Sequence, residues 1–265
     1  MSNTVSNNGD EDDCGEGYGI YLLSSSNNNT LTNNTANLNY GESYGCGIYL
    51  LSSSNNTLTE NTANSNYGCG IYGEGCGIYL HSSSNYITNN TANSNSNYGI
   101  YLHSSSNYIT SNTANSNTQY GIHFNNADNN NVSCNWVQNN SVNGFRLYGG
   151  STGNTIEDNN IIMNGVYNAS TKGYEYQFYN DQADDVEAKN NYWGTGMNNS
   201  TIDASIYDWQ DDSSKGNVTF YPFSTGASPC APIPELSTLV LFSVGLLTLA
   251  GYVGYNRRIR GSKRE

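Results

Sequence analysis

A chain of 265 residues is long enough for one large domain, yet only 12% of its residues are charged, its formal net charge is −13, and 23 positions are tyrosine. Before the C-terminal stretch the only cations are Arg146, Lys172, Lys189 and Lys215, so phosphate backbones are repelled and a nucleic-acid partner is excluded. A low-charge, Ser/Asn-rich composition also fits a disordered chain; periodicity is what argues against that.

Residues 1–13 read as a partial N-terminal turn. Asn3-Thr4-Val5-Ser6-Asn7-Asn8 resembles the Asn-Thr-Ala-Asn-Ser-Asn runs further along, and neither a basic start nor an apolar run is present, so no signal peptide is visible. Because the other end of the chain implies export, a signal peptide and an N-terminal cap are expected to precede this sequence.

Residues 14–164 carry the repeat. Gly-Ile-Tyr-Leu begins at Gly19, Gly47, Gly77 and Gly99, with degenerate copies at Gly121 and Gly144, in steps of 28, 30, 22, 22 and 23 residues. About 22 residues therefore make one turn of a solenoid, with loops inserted near Tyr40–Gly45 and Tyr67–Gly75. Within each turn the alternation has period two, which means strand. The first segment stacks Ile20, Ile48, Ile78, Ile100, Ile122 and Phe145 beside Leu22, Leu50, Leu80, Leu102, Phe124 and Leu147, and the second stacks Leu31, Leu58, Ile87, Ile109, Val132 and Ile156. Three residues beyond these last positions runs a column of Asn34, Asn61, Asn90, Asn112, Asn135 and Asn159. Stacked amides of this kind form hydrogen-bond ladders along successive parallel strands about 4.8 Å apart. The fold expected is all-β, a single-stranded right-handed parallel β-helix. Turns this short, whose Ser-Ser-Ser-Asn and Asn-Thr-Ala-Asn runs read as bends, favour this coil over a leucine-rich horseshoe.

From 165 to 225 the repeat degenerates into last turns and a C-terminal cap, which contains Asn191-Tyr192-Trp193-Gly194 and then Val218-Thr219-Phe220-Tyr221. At these residues the chain resembles the NosD-type family of surface and periplasmic β-helix proteins, over roughly residues 14–225. The resemblance implies the coil, and for some relatives copper handling; it is weak for activity, because this coil serves structural, binding and enzymatic proteins alike.

Residues 226–235 form a Pro-containing linker. Leu236–Tyr255 then runs for 20 residues without a charge. At about 1.5 Å per residue such a helix spans the roughly 30 Å of a hydrocarbon core, so one C-terminal transmembrane helix is expected over 236–255. Arg257, Arg258, Arg260, Lys263 and Arg264 follow in the tail 256–265, and the positive-inside rule places that tail in the cytoplasm and the β-helix outside. The Pro-Glu-Leu start, apolar stretch and Arg-Arg end also resemble the sorting tail of archaeal surface proteins of the Pro-Glu-Phe type, with Leu236 in place of the Phe. That resemblance implies removal of the helix and its replacement by a lipid.

Chemistry is sparse. A polysaccharide lyase needs a cationic base, and the turns offer almost no Lys or Arg. Hydrolysis needs facing carboxylates, and the close pairs Asp184-Asp185 and Asp211-Asp212 read as solvated turns. The outward column Tyr21, Tyr49, Tyr79 and Tyr101, continued by His123, is a candidate carbohydrate-binding ladder, although tyrosines also simply favour strands and stack on one another. His81 and His103, one turn apart, are a weak metal candidate lacking a third ligand. Of the six cysteines, Cys46 and Cys76 stand one turn apart and are the disulfide candidate, while Cys69 with Cys14 or with Cys76 is equally arguable. Asn-x-Ser/Thr occurs at Asn28, Asn33, Asn55, Asn89, Asn131, Asn139, Asn168, Asn198, Asn199 and Asn217, and only outward, loop-borne copies can carry glycan.

The expected protein is a non-enzymatic, membrane-anchored cell-surface repeat protein of the envelope matrix or of adhesion, needing no cofactor, whose partners are the membrane and surface glycans or envelope proteins. A carbohydrate-active enzyme with acids in the closing region, and a copper-handling accessory protein, are the alternatives.

Overall fold

In the computed structural model, residues 2–9, 15–68 and 73–233 are described. One compact unit extends to Pro232, and a second begins at Ile233. The segment 236–255 lies outside the described residues. Among those described, no helix is long and apolar enough to cross a membrane.

The first unit is a stack of parallel coils. The first sheet has eight strands, beginning with Gly17–Leu23, Tyr44–Leu51, Glu74–His81, Tyr98–Leu102, Tyr120–Asn125 and Asn143–Tyr148. It continues in the degenerate region with Phe178–Asp181 and Ile206–Tyr207. Every pair in it is parallel and in register, as in Ile48↔Ile78 and Tyr49↔Tyr79. A second parallel sheet stacks six three-residue strands from Thr30–Thr32 to Thr155–Glu157. A third face is built mostly from single parallel bridges that follow Thr35, Thr62, Thr91, Thr113 and Trp136. Asn3 and Asn8 extend the stack beyond the first full coil, with Thr4 bridged to Thr35.

Three corners join the three faces, and each uses the same device: a residue with positive φ followed by a buried Asn. The residues before the column that begins at Asn34, namely Asn33, Glu60, Asn89, Ser111, Cys134 and Asp158, have φ between 55° and 57°. Short polar side chains tolerate this left-handed backbone best. In the column itself, Asn90 donates its backbone N–H and its Nδ2 to Asn112 Oδ1 at 2.8 and 3.0 Å, and Asn112 does the same to Asn135 at 2.9 and 3.1 Å. The run extends to Asn3 at one end and Asn191 at the other. Two further columns behave alike, Asn29–Asn56–Asn85–Asn107–Asn130–Asn154 and Asn8–Asn39–Asn66–Asn95–Asn117–Asn140–Asn164. Aligned amides polarise one another, and each leaves no buried N–H of its neighbour unpaired.

The aliphatic columns fill the interior, and most of their members are fully buried. Ala36, Ala63, Ala92 and Ala114 face the glycines that open the first strands. A Cβ added at Gly47 would lie 2.7 Å from Ala63 Cβ and 2.8 Å from Asn66 Nδ2, so the glycine is required by close approach. At the far end Phe145, Phe178, Trp193 and Ile202 close the core, with Phe220 packed against it.

Two expectations are corrected here. The segment 226–235 is not a free linker over its first part: Ser228 N donates to Asn160 Oδ1 at 2.7 Å, Ala231 is buried, and Cys230 is bonded to Cys134 across a Cα–Cα distance of 5.2 Å. Cys46 and Cys76, the pair expected to form a disulfide, are free thiols. In-register residues of a parallel pair point their Cα–Cβ bonds the same way, which keeps the Cβ atoms near the strand spacing and beyond the usual disulfide separation. Cys14 and Cys69 lie outside the described residues.

Candidate functional site on the outer face of the first sheet

The outer face of the first sheet changes character along the stack. Its first coils carry the Tyr column, continued in register by His123, Arg146, Tyr179 and Tyr207. The column was expected to offer open aromatic faces to sugar rings, and the structure corrects this. Tyr49, Tyr79 and Tyr101 are only 6%, 5% and 4% exposed, against 37% for Tyr21. Tyr18, Tyr44 and Tyr98 fold over them, with Cys46 and Cys76 completing a second apolar cluster outside the sheet. Tyr21 stacks on Tyr49 at 5.1 Å and 12°, but further along Tyr79 meets its neighbours edge to face, 4.5 Å from both Tyr49 and Tyr101 at 67° and 88°. Such rings pack well with each other but present no stacking face. Burial accordingly drives the Tyr79 hydroxyl far above its usual range and pushes Tyr101 up to about 12. Glu74, at the margin of the cluster, is raised to about 7, also by burial.

Beyond Tyr101 the column turns polar. His123 is buried between Tyr98, Tyr101 and Tyr120, at 5.3, 5.0 and 5.1 Å between ring centroids. Burial, reinforced by the neighbouring Arg146 charge, lowers it to about 3, so it is neutral at physiological pH. Next comes a charge cluster that the sequence did not announce. Asp181, at the end of Phe178–Asp181, receives Arg146 Nη2 and Lys215 Nζ, both at 2.6 Å. Arg146 Nη1 also donates to the Tyr120 hydroxyl at 2.9 Å, and the guanidinium lies 5.1 Å from the Tyr120 ring and 5.5 Å from that of Tyr148. Burial raises the Asp181 carboxyl, but the hydrogen bonds from Arg146 and Lys215 outweigh it and hold the group below its ordinary value. Around the cluster stand the half-exposed Tyr148, the partly exposed Tyr176, and Tyr179 and Tyr207 stacked in parallel at 4.3 Å and 2°.

Arg146, Asp181 and Lys215 went unnoticed because they come from different coils. A hairpin, Val166–Asn168 with Gly173–Glu175, intervenes between the adjacent strands that carry Arg146 and Asp181 and hides their pairing, in which Arg146 lies opposite Tyr179 and Tyr148 opposite Asp181. The available signal was the degenerate copy Gly144-Phe145-Arg146-Leu147, which puts Arg146 in the outward Tyr position.

The other candidates separate. His81 and His103 lie 4.7 Å apart, and His103 is lowered by burial and then by the His81 charge. Among the described residues no group of three His, Cys, Asp or Glu is placed to hold a metal. Of the acid pairs, Asp211 and Asp212 cap local turns, accepting from Asp208 N at 3.2 Å and from Ser214 N at 2.9 Å, while Asp185 accepts from Asn217 N, 32 residues away, at 2.8 Å. On the third face, a cleft of about 420 Å³ is walled by Trp136, Met163, Tyr174, Tyr192, Trp193 and Met197.

A family described as the right handed beta helix region matches residues 1–77, 43–161 and 69–213. The chain belongs to this right-handed β-helix family. No curated protein matches the chain. Among solved structures it is similar to a mutant of the periplasmic alginate epimerase AlgG, with 21% identity and a TM-score of 0.50. The match covers 78% of this chain and 47% of that one, so the chain spans about half the length of its structural neighbour. At that identity the likeness concerns the fold alone.

Proposed function

We propose that this β-helix is a non-enzymatic glycan-binding protein of the cell envelope, whose ligand docks on the last coils of the first sheet's outer face. The observation that carries the reading is the Arg146–Asp181–Lys215 cluster set among accessible tyrosines. Sugar rings bind through flat apolar faces combined with a few fixed polar groups, and a guanidinium matches a carboxylate in two-point geometry. Lys215 keeps further N–H donors after meeting Asp181, so a saccharide with uronate groups fits best. Display at the cell surface follows in this reading from the apolar segment 236–255 and the basic tail 256–265, as a NosD-type β-helix with an archaeal-type sorting tail. Titration of the full chain with uronate and neutral oligosaccharides tests the site: Arg146→Gln is expected to weaken uronate binding at least tenfold, and unchanged affinity would remove the site.

A second reading, a carbohydrate-active enzyme, is favoured by the same gathering of Arg146, Lys215, Asp181 and His123 on one face. Against it, the His123 imidazole is sealed beneath three tyrosines, and Asp181 is engaged by two cations, so neither is free to move a substrate proton. Appearance of cleaved or epimerised product that is lost in Asp181→Asn would decide for the enzyme.

A further inference from the structure

The geometry points to five corner asparagines, Asn28, Asn33, Asn55, Asn89 and Asn139, as acceptor sites for N-linked glycan. All five occupy the positive-φ corner position, with φ of 60°, 55°, 59°, 56° and 57°, and all five are exposed. The corner turns each of these side chains out of the coil, and among the described residues none makes a hydrogen bond. The next residue in each case is a ladder Asn, Asn29, Asn34, Asn56, Asn90 or Asn140, whose amide is committed to the following coil. The residue after that is Thr30, Thr35, Thr57, Thr91 or Ser141. The acceptor triplet Asn-x-Ser/Thr is thus laid over the corner so that the modifiable amide is the free one and the structural amide is spared.

The fold does not require Asn here. Glu60, Ser84, Ser106, Ser111 and Asp158 hold equivalent positive-φ corners in other coils, so these asparagines are a choice beyond what the backbone demands.

The remaining triplets differ in ways that oppose a bulky substituent. Asn168 Nδ2 donates to Glu175, and Asn198 Oδ1 caps the helix Asn199–Asp203 by accepting from Ser200 N and Thr201 N at 3.0 and 3.2 Å. The acceptor hydroxyl for Asn199, that of Thr201, is taken by Asn198 N at 2.8 Å. Asn131 sits half-buried inside a second-sheet strand and accepts from Ser133 Oγ at 3.2 Å, and Asn217 donates to Thr219 Oγ1 at 3.4 Å.

The test is to send the full chain, behind a cleavable secretion signal, through a secretory pathway that performs N-glycosylation, and to map glycopeptides by mass spectrometry. Glycan is expected at the five corner positions, with each lost singly in Thr30→Ala, Thr35→Ala, Thr57→Ala, Thr91→Ala and Ser141→Ala, variants that leave every ladder amide in place. Enzymatic removal of the glycans should leave the far-UV circular dichroism spectrum unchanged. A secreted chain bare at the corners, or one modified at Asn168 and Asn198 instead, overturns the assignment.

Discussion

Asn112→Ala interrupts the ladder near its middle, and its cost can be worked from the bonds it deletes. Asn112 Oδ1 is the acceptor for the buried Asn90 backbone N–H at 2.8 Å and for Asn90 Nδ2 at 3.0 Å. Its own Nδ2 serves Ile87 O, Thr110 O and Asn135 Oδ1 at 2.8, 3.0 and 3.1 Å. One buried N–H left without an acceptor costs about 1–3 kcal/mol, and the two amide protons removed contribute about 0.5–1.5 kcal/mol each, so the expected loss is about 2–6 kcal/mol. That is a large share of the roughly 5–15 kcal/mol typical of a domain. Because coils interact chiefly with their neighbours, hydrogen exchange should accelerate first around residues 87–114. Urea unfolding followed by far-UV circular dichroism gives the magnitude, with Asn131→Ala, half-buried in a strand and outside any ladder, as the control. A loss below about 1 kcal/mol, or one equal to the control's, would refute the argument that the amide columns hold the coil. Asn112→Asp adds a pH signature. A buried carboxylate facing Ile87 O and Thr110 O has its folded pKa raised, so the unfolded state binds fewer protons in that window and stability falls as pH rises. This variant should recover toward pH 4.

Three other outcomes follow from single groups. His123, lowered from its ordinary 6.5 to about 3 in the fold, contributes stability present above pH 6.5 and lost as pH falls toward 3, about 5 kcal/mol at most; His123→Phe, which keeps the ring stack, should flatten that acid limb in thermal melts. Asp181, held below its ordinary value by Arg146 and Lys215 once burial is outweighed, contributes stability that disappears as pH drops through its folded pKa; Asp181→Asn should show no such loss in the most acidic range. Cys134→Ser opens a link spanning 96 residues, worth about 4–5 kcal/mol in the chain-entropy description; protease should then cut near 226–232 while the coils stay protected, and early cutting within 98–164 instead would contradict the packing described for this segment.

The coil was legible in the sequence because strict repetition fixes register: Ile78 must lie over Ile48 if Gly77 lies over Gly47. One Asn column was legible for the same reason. The two others recur at five-residue offsets, as in Asn29, Asn34 and Asn39, and were masked by a background already rich in Asn. The outward face of the Tyr column was correctly read from the alternation, but not its burial, since Tyr44 and Tyr98 cover it from neighbouring positions on the same face. Sequence shows which way a side chain points more readily than what lies on top of it. The Cys134–Cys230 bond was hidden because Cys230 falls in a Pro-containing segment that reads as linker, and proximity across 96 residues leaves no local mark. The Arg146–Asp181–Lys215 cluster was obscured where inserted elements break the period on which the reading depended.

In the function proposed for this β-helix, the last coils bind a glycan and leave it intact. The most direct measurement is to incubate the full chain with a panel of uronate-containing and neutral polysaccharides, recording retained saccharide and its chain length and sugar composition afterward. Retention of uronate-containing saccharide, recovered unaltered, is the predicted result. Shortened, unsaturated or epimerised product would contradict it in favour of an enzyme, and absence of retention across the panel would contradict glycan binding itself.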